Sequence, residues 1–124
     1  MCSSDLALYN QAARDARVAQ AIAEGVARWS KDVVLMGLAG SLSLEVYQSA
    51  GFRTLAEAFA DRRYEADGSL RSRKLPGALI EDPQQAAAQA VEIARSGKVQ
   101  SICIHGDTPG AVNIARAVRE ALSR

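Results

Sequence analysis

Parallel strand–helix units, an α/β fold, are what this sequence predicts, on three observations. Short apolar runs, at Val33–Met36 and within Lys98–Ile104, are too brief for helices and are flanked by stretches with apolar residues at helical spacing. Alanine is abundant while aromatics make up only 5% of the 124 residues, which suits helices packed closely on a sheet. Regular alternation of the two element types implies strands joined by helical crossovers, and so a parallel sheet.

The first element is a long amphipathic helix from Leu8 to about Arg28, where Leu8, Ala12, Ala16, Ala19, Ile22, Val26 and Trp29 recur at helical spacing. Val33–Met36 is a strand buried on both faces, because its apolar run is continuous. Gly37-Leu38-Ala39-Gly40 ends it. Ser41 can cap a short helix through about Ala50, with Gly51 as its stop. Phe52–Ala58 has a mild helical propensity but stands where the alternation demands a strand, and it is assigned as one. Asp61–Leu79 is polar and rich in Arg, Gly and Ser. A loop of this length in a compact domain is usually functional or a lid. Asp82-Pro83 opens the next helix, Asp as cap and Pro at the first helical position. Its buried stripe is Ala87, Ala90, Val91 and Ala94, and Gly97 ends it. Lys98–Ile104 is the third strand. Pro109–Leu122 is the last helix, with Ala111, Ile114, Ala115, Val118 and Leu122 on one face. The chain opens on a helix with no strand before it, and three strands are few for a closed sheet.

The length fits one domain or a piece of one. A formal net charge of +1, from 15 basic and 14 acidic residues, gives no electrostatic case for nucleic acid or an anionic membrane. Cys2 and Cys103 make no disulfide framework, and Cys103, inside an apolar run, reads as a small buried hydrophobe. No apolar stretch reaches the roughly 20 residues that cross a bilayer. No basic segment precedes an apolar core at the N-terminus, so a cytoplasmic protein is the expectation.

The residues that could carry chemistry sit at strand ends. His105-Gly106-Asp107 follows the third strand, and Thr108-Pro109 opens a helix. The glycine allows close backbone approach to a ligand, and free N–H groups at the helix start suit an anion. His105 could be a general acid or base, a phosphate ligand or a metal ligand. The plainer alternative is that Asp107 caps the helix and His105 packs at the sheet edge. Glu57 and Asp61 offer two carboxylates near one strand end, suited to proton transfer or Mg²⁺, and Arg62 could grip a carboxylate or phosphate. On residues alone, a surface ion-pair cluster on a loop is the favoured reading of that group. Arg71, Arg73 and Lys74 are ordinarily a solvated basic stretch, but in a lid they could meet phosphates. Gly37-Leu38-Ala39-Gly40-Ser41 joins strand to helix as phosphate loops do, yet it lacks both the P-loop ending and the dinucleotide glycine spacing. A structural turn with a Ser41 cap is favoured there.

Several of these residues fall into a familiar order: Ala7-Leu8-Tyr9-Asn10 before a helix, Gly40-Ser41, Glu57-Ala58-Phe59-Ala60-Asp61-Arg62 with Tyr64 and Asp67-Gly68, then Arg73, Gly77-Ala78 and His105-Gly106-Asp107. This pattern resembles the LamB/YcsF family, that of the A subunit of bacterial 5-oxoprolinase, from Ala7 to the end of the chain. The resemblance implies an irregular β/α barrel related to polysaccharide deacetylases, with Glu57, Asp61, Arg62, His105 and Asp107 at the C-terminal mouth. It also implies ATP-dependent hydrolysis of 5-oxo-L-proline to L-glutamate, together with B and C subunits. In that reading Glu57, Asp61 and His105 handle protons or Mg²⁺. Arg62, Asp107, Thr108 and Ser41 meet the phosphates of ATP, bound with Mg²⁺; the identity of any protein-held metal is left open.

The chain also departs from the family. Members carry an N-terminal half and a Lys-Pro-His-Gly segment before Ala-Leu-Tyr-Asn, where this chain has Met1-Cys2-Ser3-Ser4-Asp5-Leu6. Residues 1–6 read as translated sequencing adaptor, an assembly scar, and 7–124 as the C-terminal half of a barrel that needs about 200 residues to close. Such a fragment is expected to be inactive alone and to expose an apolar sheet edge. Two alternatives stand beside this reading. One is a non-catalytic α/β module binding a phosphorylated small molecule at Gly37–Ser41 and Asp107-Thr108. The other, a metal-dependent deacetylase, ranks low because the chain has one histidine.

Overall fold

The computed structural model describes residues 6–124, so the expected scar and Cys2 lie outside the described residues, apart from the backbone of Leu6. The chain forms two compact units, one through Glu57 and one from Ala58 onward.

The first unit begins with two helices, α1 (Leu6–Ala12) and α2 (Ala16–Ala27), rather than the single long helix expected. Asp15 breaks the run. Its backbone is extended, at φ −125° and ψ 106°, and its carboxylate accepts the Arg17 N–H at 2.9 Å. A side chain that satisfies a free N–H at a helix start stabilises a new start over continuation. Trp29, expected on the apolar stripe, lies beyond α2 and is 79% exposed.

Strand β1 (Val34–Leu38) pairs in parallel with β2 (Arg53–Phe59), in a register from Val34 opposite Arg53 to Leu38 opposite Glu57. Helix α3 (Leu42–Ser49) joins them and stops at Gly51, whose φ of 88° suits a residue without a Cβ. The core of this unit is Ala12, Ala19, Ala23, Tyr47 and Phe52, with Leu35 packed against it. The alanines let helices approach closely. Side chains alternate across a strand, so Leu35 points to the helices while Val34 and Met36 remain 42% exposed. β1 is therefore covered on one face among the described residues, not on both as its apolar run suggested. Ser41 stands at the start of α3 but does not cap it; its hydroxyl pairs with that of Ser43 at 2.7 Å.

In the second unit β2 runs on to lie beside β3 (Ser101–Cys103), with Ala60 N–H donating to the Cys103 carbonyl at 3.0 Å. The strand order is thus β1-β2-β3. β3 is much shorter than the Lys98–Ile104 expected, and Cys103 is half-buried rather than buried. Helix α4 (Pro83–Arg95) starts as read, with Asp82 accepting the Gln84 N–H at 2.9 Å and Pro83 in the first turn. Its buried stripe is Ala86, Ala87 and Ala90, turned from the expected one, so that Ala94 is exposed and Val91 only half-buried. Helix α5 (Ala111–Leu122) starts two residues later than Pro109, behind Gly110 at φ 77°. Ile114 and Val118 are its buried residues, supported by Ala117 and Ala121, whereas Ala115 and Leu122 are exposed. These two helices close on Ala60 and Ile80 to form the core of the unit.

The 61–79 stretch is a loop, as read, but a pinned one. Antiparallel bridges join Arg62 to Leu79 and Tyr64 to Leu70. No helix among the described residues is long and apolar enough to cross a membrane.

Candidate active site

Asp61 follows the end of β2 by two residues and His105 follows the end of β3 by two. The sheet thus delivers both side chains to the same place in the second unit. Asp61 is fully buried, which on its own would be costly for a carboxylate. Its oxygens are met by donors instead. The backbone N–H of His105 reaches Oδ2 at 2.8 Å, the Thr108 hydroxyl reaches Oδ2 at 2.7 Å, and His105 Nδ1 lies 2.9 Å from Oδ1 and 3.1 Å from Oδ2. Burial pushes the acidity of Asp61 down, but the hydrogen bonds from the His105 ring, the His105 backbone and Thr108 outweigh it, with the charge of His105 as a smaller contribution. The carboxyl is held below its ordinary range.

An ionised carboxylate only accepts hydrogen bonds, so Nδ1 must carry the proton that lies between the two residues. In neutral His105 the lone pair is then on Nε2, on the far side of the ring. Phe59 stacks on the imidazole, with ring centres 5.1 Å apart and planes 9° from parallel. One ring face is thus covered and one nitrogen is fixed, and the side chain is 10% exposed. An oriented, largely buried imidazole with its second nitrogen uncommitted to Asp61 can accept a proton from a nucleophile and return it to a leaving group.

Thr108 is buried and serves Asp61 through its hydroxyl. Asp107, for which capping was the plainer alternative, does not cap α5; it is exposed and pairs with Arg73 at 3.1 Å. Hydrogen bonding from Arg73, then its charge, holds the Asp107 carboxyl below the usual range. Arg62 is 2% exposed, donates Nη2 to the Arg71 carbonyl at 2.7 Å, and leaves Nε buried without a partner. Desolvation, followed by the nearby Arg73 charge, lowers its proton affinity against the opposing pull of Asp61, Tyr64 and Asp107. Arg62 thus pins the loop that Arg71 continues, through Arg71 Nε to Pro76 O at 2.9 Å and Arg71 Nη1 to Glu65 at 3.0 Å.

Glu57 and Ser41 belong to the first unit. Glu57 is half-buried, accepts the Tyr9 hydroxyl at 3.1 Å, and takes the Ala39 N–H on its own carbonyl at 2.9 Å. Ser41 is engaged with Ser43. Among the described residues no group of three or more His, Cys, Asp and Glu side chains could hold a metal ion.

Two residues that surround the pair carry no role in the sequence reading. Phe59 stands inside the quoted block without a role of its own. Gln89 lies on α4 between buried Ala86 and Ala90, and a polar residue on that side of an alanine stripe was the available signal.

The chain is similar to known proteins. The model of the LamB/YcsF family matches residues 4–124. A protein of Chloroflexus aurantiacus, named as the A subunit of 5-oxoprolinase, is 50% identical over 94% of this chain and 51% of its own length. One of the same name from Acinetobacter baylyi is 44% identical over 94% of this chain and 50% of its own. The crystal structure of the lactam utilization protein from Thermus thermophilus superposes with a TM-score of 0.77 at 38% identity, covering 94% of this chain and 51% of that one. The chain spans about half the length of the relatives it matches.

Proposed function

From the premise that this chain belongs to the LamB/YcsF family, we propose that it forms part of the A subunit of a 5-oxoprolinase, hydrolysing the cyclic amide of 5-oxo-L-proline to L-glutamate. The observation that supports this most directly is the buried Asp61 bound to His105 Nδ1 at 2.9 Å, an arrangement that leaves Nε2 as the base. In this reading His105 takes a proton from the water that attacks the lactam carbonyl. It returns that proton to the ring nitrogen as the C–N bond breaks. Asp61 holds the imidazole in the tautomer this requires and steadies the imidazolium that forms. Thr108 and the His105 N–H keep Asp61 ionised, and Phe59 covers one face of the ring. Glu57, held by Tyr9, is a second carboxylate at a strand end that could serve proton transfer.

An unstrained lactam of this type is hydrolysed uphill unless the reaction is coupled. ATP, with Mg²⁺, is therefore kept as co-substrate, and the B and C subunits as partners. The side chains named for its phosphates do not fit that task as they stand. Thr108 is held by Asp61, Asp107 by Arg73 and Ser41 by Ser43, while Arg62 is buried. The chemistry assigned to this chain is accordingly confined to the proton movements at His105. On this reading the chain is inactive alone and is completed by the remaining half of a β/α barrel of polysaccharide-deacetylase type.

The test is ATP-dependent release of glutamate from 5-oxoproline by a protein of the relatives' full length, supplied with its B and C partners. His105→Ala should lower turnover by about 10²- to 10⁴-fold, the usual worth of a positioned acid–base group. Undiminished turnover in that variant would overturn the assignment.

A further inference from the structure

Gln89 bridges the backbone on either side of Asp61. Its side-chain amide Nε2 lies 2.8 Å from the Phe59 carbonyl and 2.8 Å from the Arg62 carbonyl, with the Ala60 carbonyl at 3.4 Å. A primary amide has two N–H groups, so the two short contacts use its whole donor capacity. The acceptors are no arbitrary pair. Phe59 carries the ring stacked on His105, and Arg62 directly follows Asp61. β2 ends at Phe59, so these carbonyls lie where the sheet ladder stops and other donors must be found.

We propose that Gln89 is a positioning residue for the Asp61–His105 pair: its amide fixes the 59–62 backbone so that the Asp61 carboxylate meets His105 Nδ1 and keeps the imidazole proton there. This deepens the function proposed above and rests on its reading of the pair as the proton-transfer apparatus. The physical link is short. Asp61 is held on its own account by the His105 and Thr108 donors and by the Ile80 N–H on its carbonyl at 2.9 Å, while Gln89 ties the flanking carbonyls to α4. A strand end released from α4 can shift by a few tenths of an ångström. A donor–acceptor contact of 2.9 Å weakens quickly on such a shift. Once the carboxylate no longer selects Nδ1–H, the ring returns toward the Nε2–H tautomer favoured by a free imidazole, and the base is blocked by its own proton. Other residues of α4 cannot substitute. Gln85, one turn earlier, engages the Arg63 side chain at 3.3 Å and no carbonyl of the 59–62 segment.

The experiment is the ¹⁵N spectrum of the His105 ring in this chain, at a pH where the imidazole is neutral. It is recorded for the wild type, for Gln89→Leu and Gln89→Met, which keep the bulk without donors, and for Gln85→Ala as a control. The expected result is a protonated Nδ1 in the wild type and in Gln85→Ala, and a shift toward protonated Nε2 in whichever Gln89 variant folds. A merely structural Gln89 would lower the melting temperature and leave the tautomer unchanged in the folded protein; that result overturns the proposal. Through-bond coupling from the Gln89 amide nitrogen to the carbonyl carbons of Phe59 and Arg62 in the wild type is a second readout, and its absence overturns the proposal even if no variant folds. In the whole enzyme, Gln89→Leu should lower kcat by roughly ten- to a hundredfold with KM little changed, as small misplacements do. A tautomer shift with normal turnover in His105→Ala would remove the function proposed above and leave the clamp standing. Loss of turnover in His105→Ala with an unmoved tautomer in Gln89→Leu would remove the clamp alone.

Discussion

His105 turns Nδ1 to within 2.9 Å of Asp61 Oδ1, while its own backbone N–H, 2.8 Å away, holds the other oxygen of the same carboxylate. One residue thus grips Asp61 twice, and neither ring rotation nor carboxylate rotation is possible without losing a bond. Asp61→Asn should keep the shape but offer an N–H where Nδ1 needs an acceptor, favouring the wrong tautomer. In the full-length enzyme turnover should fall by about 10²- to 10⁴-fold with substrate binding largely intact. Steady-state kinetics checks this, and equal losses in kcat and 1/KM would point instead to general damage at the site.

The same carboxylate makes stability depend on pH. Asp61 is held below its ordinary value in the folded chain, so the unfolded chain binds the proton more tightly. Its contribution is present in full above the unfolded value, about pH 4, and is lost as pH falls through the lower folded value. The gap in melting temperature between the wild type and Asp61→Asn should therefore be wide from about pH 5 to 7 and narrow below about pH 4. A gap that widens on acidification would contradict this.

Thr108 can be tested by a graded pair. Its hydroxyl meets Asp61 at 2.7 Å in a buried setting. Thr108→Val deletes a donor to a buried carboxylate and should cost about 1.5–3 kcal/mol in chemical denaturation. Thr108→Ser should recover most of that loss, because the hydroxyl alone makes the bond. Equal losses in both variants would assign the effect to packing of the methyl group.

The parts legible in the sequence were those fixed by local chemistry. Asp82-Pro83 marks a helix start, Gly51 a helix end, and the alternation requires β2 although its propensity mildly favours helix. Strand-end logic set Asp61 and His105 just past strand ends, and the structure brings the two together there. What escaped depends, the local cap at Asp15 apart, on contacts distant in the chain. Asp15 splits a helix whose apolar spacing runs on through the break. Val34 and Met36 look like a doubly covered strand, because hydrophobicity says what a residue prefers and not what stands over it. Arg62 has the charge of an anion ligand, but burial and the Arg71 carbonyl give it a loop to hold. Gln89 acts across 27 to 30 positions of sequence, a distance no local pattern reports.

Gly37 sits in β1 against residues of α3. A Cβ there would lie 2.9 Å from Ser43 Oγ and 3.0 Å from Leu44 Cδ2. Ser43 is itself buried and bonded to Ser41, so it cannot swing aside without breaking that pair. Gly37→Ala should cost about 1–3 kcal/mol, the usual range for overpacking. Adding Ser43→Gly should return part of the loss, and a thermal denaturation cycle of the two substitutions measures the coupling.

The exposed face of β1 offers the last test. Among the described residues Val34 and Met36 are each 42% exposed on a strand with β2 on one side only, so apolar side chains and a sheet edge coincide. An edge of this kind is a template for pairing with another chain, and a charge placed on it opposes that pairing. Met36→Lys should raise the monomer fraction of this chain in size-exclusion chromatography with light scattering. It should do so with little change in melting temperature, because Leu35 and not Met36 packs against the helices. Arg53, opposite Val34 in the register, already brings one charge to that end of the ladder, so Val34→Lys should help less than Met36→Lys, which faces Leu55. Equal association of wild type and Met36→Lys would show that self-contact, if it occurs, uses another surface.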